Sequence, residues 1–150
     1  MPHDFRRFPE LANAQMDVYY FESPHKQITE NFIAQVVKVH DGDTITLRVD
    51  FRDFDFPLRF LGTNAPELNE KGGHESRDWL SQILLDEEVD IVINKKNRVG
   101  KFGRLLGKVF HMGLNMNEES IRQGFAKPFD RRNEGKIPNL NKELNIERWF

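Results

Sequence analysis

Asp41-Gly42-Asp43-Thr44 sets two carboxylates on one tight turn, an arrangement that can aim oxygens at a hard cation such as Ca²⁺ or Mg²⁺. The same tetrapeptide is also ordinary turn chemistry, because Asp-Gly is favoured in hairpin loops. Further on, Leu58-Arg59-Phe60 alternates so that Arg59 faces away from the apolar row, and taken alone it reads as a solvated strand arginine. Pro66 stiffens the chain just before Glu67 and can hold that carboxylate in place, although Pro-Glu also occurs in plain loops. Residues 91–117 contain no Asp or Glu but carry Lys95, Lys96, Arg98, Lys101, Arg104 and Lys108. Such a run beside Phe102 suits phosphate contacts with base stacking, and a solvated loop is the alternative. His3, His25, His40, His74 and His111 show neither metal spacing nor a triad pattern.

These groups need elements to carry them. Phe32–Val39 reads as a β-branched strand, Asp41-Gly42 as a hairpin turn, and Thr44–Val49 as the returning strand. Phe56, Leu58 and Phe60 alternate on a third strand, while VDIVI (89–93) and LLGKVF (105–110) supply a fourth and fifth. Between them, Trp79, Leu80, Ile83 and Leu84 make one apolar stripe on a helix that starts after Gly72-Gly73 and ends near Asp86. Asn115 followed by Glu118 is a helix-start pattern, and Gly124 is a plausible stop. Three strands, a helix, two strands and a helix predict a mainly β domain with α elements, a five-stranded OB-fold Greek-key barrel carrying two to three short helices.

Composition narrows the classes. With 150 residues, one core is expected, and 22 basic against 24 acidic side chains (net charge −2) exclude a polybasic binder. The absence of cysteine removes disulfides, thiolate metal sites and a thiol nucleophile. No stretch approaches the roughly 20 apolar residues needed to span a bilayer. The segment Met1–Arg7 lacks the apolar run of a secretory signal, so a cytoplasmic location without membrane contact is expected, secretion of a processed chain being left open. The pattern divides the chain into an arm (1–28), a barrel domain (29–130) and a C-terminal tail or short helix (131–150). The cluster Val18-Tyr19-Tyr20-Phe21 pins the arm to the domain or gives it a partner, either another protein or a second copy of the chain.

Taken together, VVKVHDGDTITL, PLRFLGTNAPE, HESRDWLSQIL, KFGR and LNMNEESIRQGFAKP resemble the staphylococcal nuclease (thermonuclease-like) family over about residues 32–127. The resemblance implies an OB-fold phosphodiesterase that uses a divalent cation, Ca²⁺ with Mg²⁺ or Mn²⁺ as alternatives, and acts on DNA and/or RNA. Carried across position by position, it assigns Asp43 as a metal carboxylate, Asp41 as the acid holding the metal's waters, and Ala65 as a carbonyl ligand. Glu67 becomes the general base, Arg59 and Arg104 the phosphate-binding arginines, and Lys95, Lys96, Arg98, Lys101 and Phe102 the surrounding nucleic-acid contacts.

The chain also departs from the family pattern. Asn64 stands where a second metal-binding aspartate is usual, and Phe102 replaces a tyrosine. Asp130 and Arg132 lie where other members have nucleotide-contacting tyrosines, and the last helix of the family looks shortened. Asn64 keeps a second reading open, a nucleic-acid-binding or protein-interaction barrel with weak or no catalysis.

Overall fold

In the computed structural model, residues 10–11, 26–100 and 103–129 are described. The β-branched run forms β1 (Phe32–Asp41), which turns through Gly42-Asp43 into β2 (Thr44–Arg48), followed by β3 (Phe56–Phe60). A two-residue strand β4 (Thr63–Asn64) precedes the helix α1 (Gly73–Leu84). β5 (Glu88–Val92) and β6 (Leu105–His111) then complete the barrel. The short β7 (Leu114–Asn115), α2 (Met116–Arg122) and β8 (Lys127–Pro128) follow.

The sheet order β3-β2-β1-β5-β6 closes on itself because β3 also pairs with β6, in parallel, with Arg59 opposite Leu106. Every other barrel pairing is antiparallel. Closure removes the open edges that a five-stranded sheet would otherwise expose. Its interior is filled by Val36, Ile45, Leu47, Phe56, Leu58, Phe60, Ile91, Leu105 and Val109, all buried. The expected strands and both expected helices are present. Three short strands, β4, β7 and β8, add to them; at two residues each they are too brief to leave a periodic signal in the sequence.

Helix α1 buries Leu80 and Leu84, with Trp79 and Ile83 packed beside them, and stops before Asp86-Glu87-Glu88, whose charges would sit badly at the negative end of a helix dipole. Asp86 takes φ 66°, and its amide donates to the Val36 carbonyl, tying the helix end to β1. In α2 the Asn115 side chain accepts the Glu118 amide at 3.2 Å, and Gly124 follows with φ 84°. No helix among the described residues is long and apolar enough to cross a membrane. The aromatic cluster 18–21 and the tail 131–150 lie outside the described residues.

Candidate active site

A cleft of about 960 Å³ opens beside the β1–β2 turn, lined among others by Asp41, Asp43, Arg59, Asn64, Ala65, Glu67 and Arg104. Several separate chain segments meet there, and each is held for a local reason. Irregular register in β1, between Val36 and Lys38 and again between Val39 and Asp41, turns the strand end toward the cleft. Gly42 then lets the turn approach α1 closely. A methyl group on it would lie 2.0 Å from Ser76 Oγ and 2.7 Å from Ala65 Cβ, so space and not a positive φ demands glycine.

Asp43 is buried at 5% exposure. Its Oδ2 accepts the Ala65 amide at 2.8 Å and lies 3.2 Å from Arg59 Nη1, while its own amide donates to Asp41 Oδ1 at 3.1 Å. Arg59 is also buried: Nη1 donates to the Thr63 carbonyl at 2.7 Å and to that of Phe60 at 3.3 Å. This corrects the reading of Arg59 as a solvated strand residue. It does face away from the Leu58–Phe60 row, but the loop carrying Thr63 folds over it and supplies carbonyl acceptors.

Glu67 sits in a turn closed from both sides. Its amide donates to Glu70 Oε1 at 2.8 Å, and its carbonyl accepts the Glu70 amide at 2.9 Å. The start of α1 presses on this turn: a Cβ at Gly73 would fall 1.9 Å from the Glu67 carbonyl oxygen. Gly73→Ala therefore displaces Glu67. We expect a cost of about 1–3 kcal/mol in stability and, if Glu67 acts on the substrate, a fall of at least about tenfold in turnover, since small misplacements of reacting groups are costly. Melting and steady-state cleavage assays read the two effects, and unchanged turnover would detach Glu67's position from the chemistry.

The charges interact strongly. Burial pushes the Asp43 carboxyl up to about 7; Arg59 opposes the shift and the Asp41 charge reinforces it. Burial lowers the Arg104 guanidinium, as does the like charge of Arg59, while Asp43, Asp41 and Glu67 favour its charged form. Arg59 is lowered by burial and supported by the same three carboxylates. Two mutually repelling guanidiniums are thus held in one cleft.

A family model of staphylococcal nuclease homologues matches residues 57–145 of the chain. The chain belongs to the staphylococcal nuclease family. An uncharacterized endonuclease of Escherichia coli is 31% identical over 116 residues, covering 76% of this chain and 72% of the relative. A second uncharacterized endonuclease, from Haemophilus influenzae, is 30% identical over 97 residues (65% of this chain, 52% of the relative). A micrococcal nuclease of Shigella flexneri is 28% identical over 105 residues (64% and 58%). Homologues in this family support a nuclease function and hence a nucleic-acid substrate. Asp41 and Asp43 lie before the matched range, yet the barrel brings both to the same cleft as the matched Arg59, Glu67 and Arg104.

The basic stretch does not act as a unit. Arg98 is 3% exposed. Its Nε donates to the Ile28 carbonyl at 2.8 Å and its Nη1 to that of Leu11 at 3.0 Å. This guanidinium is spent on backbone inside the protein, which corrects its assignment as a nucleic-acid contact. Lys95 and Lys96 are exposed but do not line the cleft. Lys101 and Phe102 lie outside the described residues. Other groups do line it: Lys71 at the approach to α1, and Phe125 and Lys127 after α2. Phe125 stacks on Trp79 at 4.8 Å between centroids, and its carbonyl accepts the Ser76 hydroxyl.

Asn117, buried and not singled out by any sequence pattern, fastens the site from behind. Its Oδ1 accepts the Val109 amide at 3.0 Å and its Nδ2 donates to the Leu61 carbonyl at 2.8 Å, joining α2, β6 and the corner after Arg59.

The raised Asp43 carboxyl carries a pH signature. The folded chain keeps a proton that the unfolded chain releases near 3.8. The stability from this group is complete below that value and lost as pH rises through about 7. Without added metal, the protein should melt lower at about pH 8 than at about pH 5.5, with the difference flattened in Asp43→Asn. An equal trend in that variant would assign the effect to another group.

Proposed function

We propose that the chain is a divalent-cation-dependent nuclease that hydrolyses phosphodiester bonds of DNA and/or RNA. The observation that carries this reading is the convergence of Glu67, Arg59 and Arg104 with the two turn aspartates on one cleft. Glu67 would take the proton from the attacking water as the new P–O bond forms, a task for a carboxylate at the cleft wall. Arg59 and Arg104 would receive the charge that gathers on the phosphoryl oxygens as the leaving P–O bond breaks. Nη1 of Arg59 is committed to the protein, whereas its Nε and Nη2 have no protein hydrogen bond among the described residues. These donors suit a phosphate.

Staphylococcal nuclease homologues are generally Ca²⁺-dependent. Among the described residues no group of three or more His, Cys, Asp or Glu side chains is arranged to hold a metal. The oxygen donors at the cleft nonetheless suit a hard cation: the Asp41 and Asp43 carboxylates, the Asn64 amide and the Ala65 carbonyl. Burial, with the Asp41 charge beside it, lifts Asp43 to about 7, and a bound positive charge would favour its ionised form. When bound, such a cation supplies charge stabilisation at the phosphate and a more acidic water.

Asn64 leaves this donor set with two carboxylates, the one observation that favours the second reading, a barrel that binds nucleic acid with little cleavage. Asn64→Asp should tighten Ca²⁺ binding by about tenfold or more, given how strongly ligand charge tunes such sites. Titration calorimetry reads this, and an unchanged affinity would remove residue 64 from the ligand set. The function itself is tested by cleavage of single- and double-stranded DNA and RNA with Ca²⁺, Mg²⁺, Mn²⁺ or EDTA. Cutting that EDTA abolishes is the expected result. Binding without cutting under every cation would favour the second reading.

A further inference from the structure

The segment Glu10–Leu11 lies against the barrel far from its neighbours in sequence, and its contacts converge on the turn that carries Arg104. The Glu10 amide donates to the carbonyl of Gly103 at 3.0 Å, directly before Arg104. The Glu10 carboxylate is 1% exposed and pairs with the guanidinium of Arg52, which lies over the Phe56 ring of β3 at 4.6 Å. Its second oxygen, Oε2, is buried with no hydrogen-bond partner among the described residues.

Arg98 links this segment to the catalytic turn a second time. Its side chain holds the carbonyls of Leu11 and Ile28, while its own carbonyl accepts the Leu106 amide at 2.8 Å. Beside it, the Gly100 amide donates to the Arg104 carbonyl at 2.9 Å, and Val99 bridges to Leu105. The base of the Arg104 hairpin and the clamp on Leu11 are thus one residue.

We propose that Glu10 and Leu11 form a positioning element for Arg104, fixing the turn at Gly103 so that its guanidinium stands beside Arg59 in the cleft. The inference rests on the nuclease reading for its effect on turnover, and on the contacts alone for its effect on the turn.

The test uses the full chain. In Glu10→Ala, amide hydrogen exchange over residues 98–106 should accelerate by about tenfold or more, with β1 and β2 unchanged. On DNA with Ca²⁺, kcat should fall by about tenfold with KM within about twofold, and Glu10→Gln should recover most of the loss. Combined with Arg104→Ala, the Glu10→Ala change should cost nothing further, because two changes acting through one group are not additive. Unaltered exchange at 98–106, or the same loss with and without Arg104, would overturn the proposal. Should Glu10→Ala fail to fold, Gln27→Leu removes the side-chain oxygen that accepts the Leu11 amide at 2.6 Å, and the same readouts decide. A wild-type chain that cuts neither DNA nor RNA would end the nuclease reading and leave hydrogen exchange to decide the positioning.

Discussion

Replacing Glu67 by Gln should lower kcat by roughly 10²- to 10⁴-fold, the range for losing a positioned general base. The exchange is isosteric and keeps the backbone bonds of the Glu67–Glu70 turn, because neither involves the Glu67 side chain. Melting temperature should fall modestly, because the carboxylate that favours the charged forms of Arg59 and Arg104 is gone. The amide oxygen can still orient a water but cannot accept its proton at neutral pH. KM should stay within about threefold, since the proposed phosphate ligands are the two arginines and a loss confined to the transition state appears in kcat. Single-turnover cleavage measured across pH separates these terms. A Glu67→Gln variant retaining most of its rate would move the base to another group on the cleft.

Arg59→Met should damage both activity and stability, and pH should separate the two losses. Breaking a buried ion pair on one side typically costs about 3–5 kcal/mol, because the remaining charge is left without compensation. Here the remaining charge is Asp43, whose carboxyl already sits near 7 with Arg59 holding it down. Without the guanidinium, Asp43 takes up a proton instead of staying charged. The loss of stability should thus be small in mildly acidic buffer and grow toward about pH 8. Denaturant melts at both ends of that range measure it, and adding Asp43→Asn should recover stability at high pH. Activity should be lost throughout and not return in the double variant, since one of the two proposed cationic partners of the phosphate is then gone. A pH-independent loss of stability would mean that packing, not charge, makes Arg59 necessary.

The barrel was legible because each of its strands carries a clean alternation or a β-branched run, and α1 a clear apolar stripe. The family resemblance, rather than local pattern, pointed to Asp41, Asp43, Arg59, Glu67 and Arg104 together, and all five line the cleft. What local pattern missed depends on partners distant in sequence. Arg98 looks like its basic neighbours until the carbonyls of Ile28 and Leu11 are brought to it. Arg59 alternates like a solvent-facing residue, and only the fold of the following loop buries it. Asn117 carries no periodic signal, because its value lies in bonds to β6 and to the corner at Leu61. Lys71 and Lys127 are ordinary lysines whose meaning comes from the cleft beside them.

The parallel pairing of β3 with β6 sets Arg59 opposite Leu106, two residues beyond Arg104. The ladder that closes the barrel is therefore also the spacer that holds the two guanidiniums together. Pairings between segments so distant along the chain are entropically slow to form. Before this one forms, the two like charges have nothing to hold them side by side. A full chain whose barrel has opened along this line carries both arginines without the ladder that sets them in register. On the proposed reading, competence to cut would then depend on ring closure as well as on the side chains themselves.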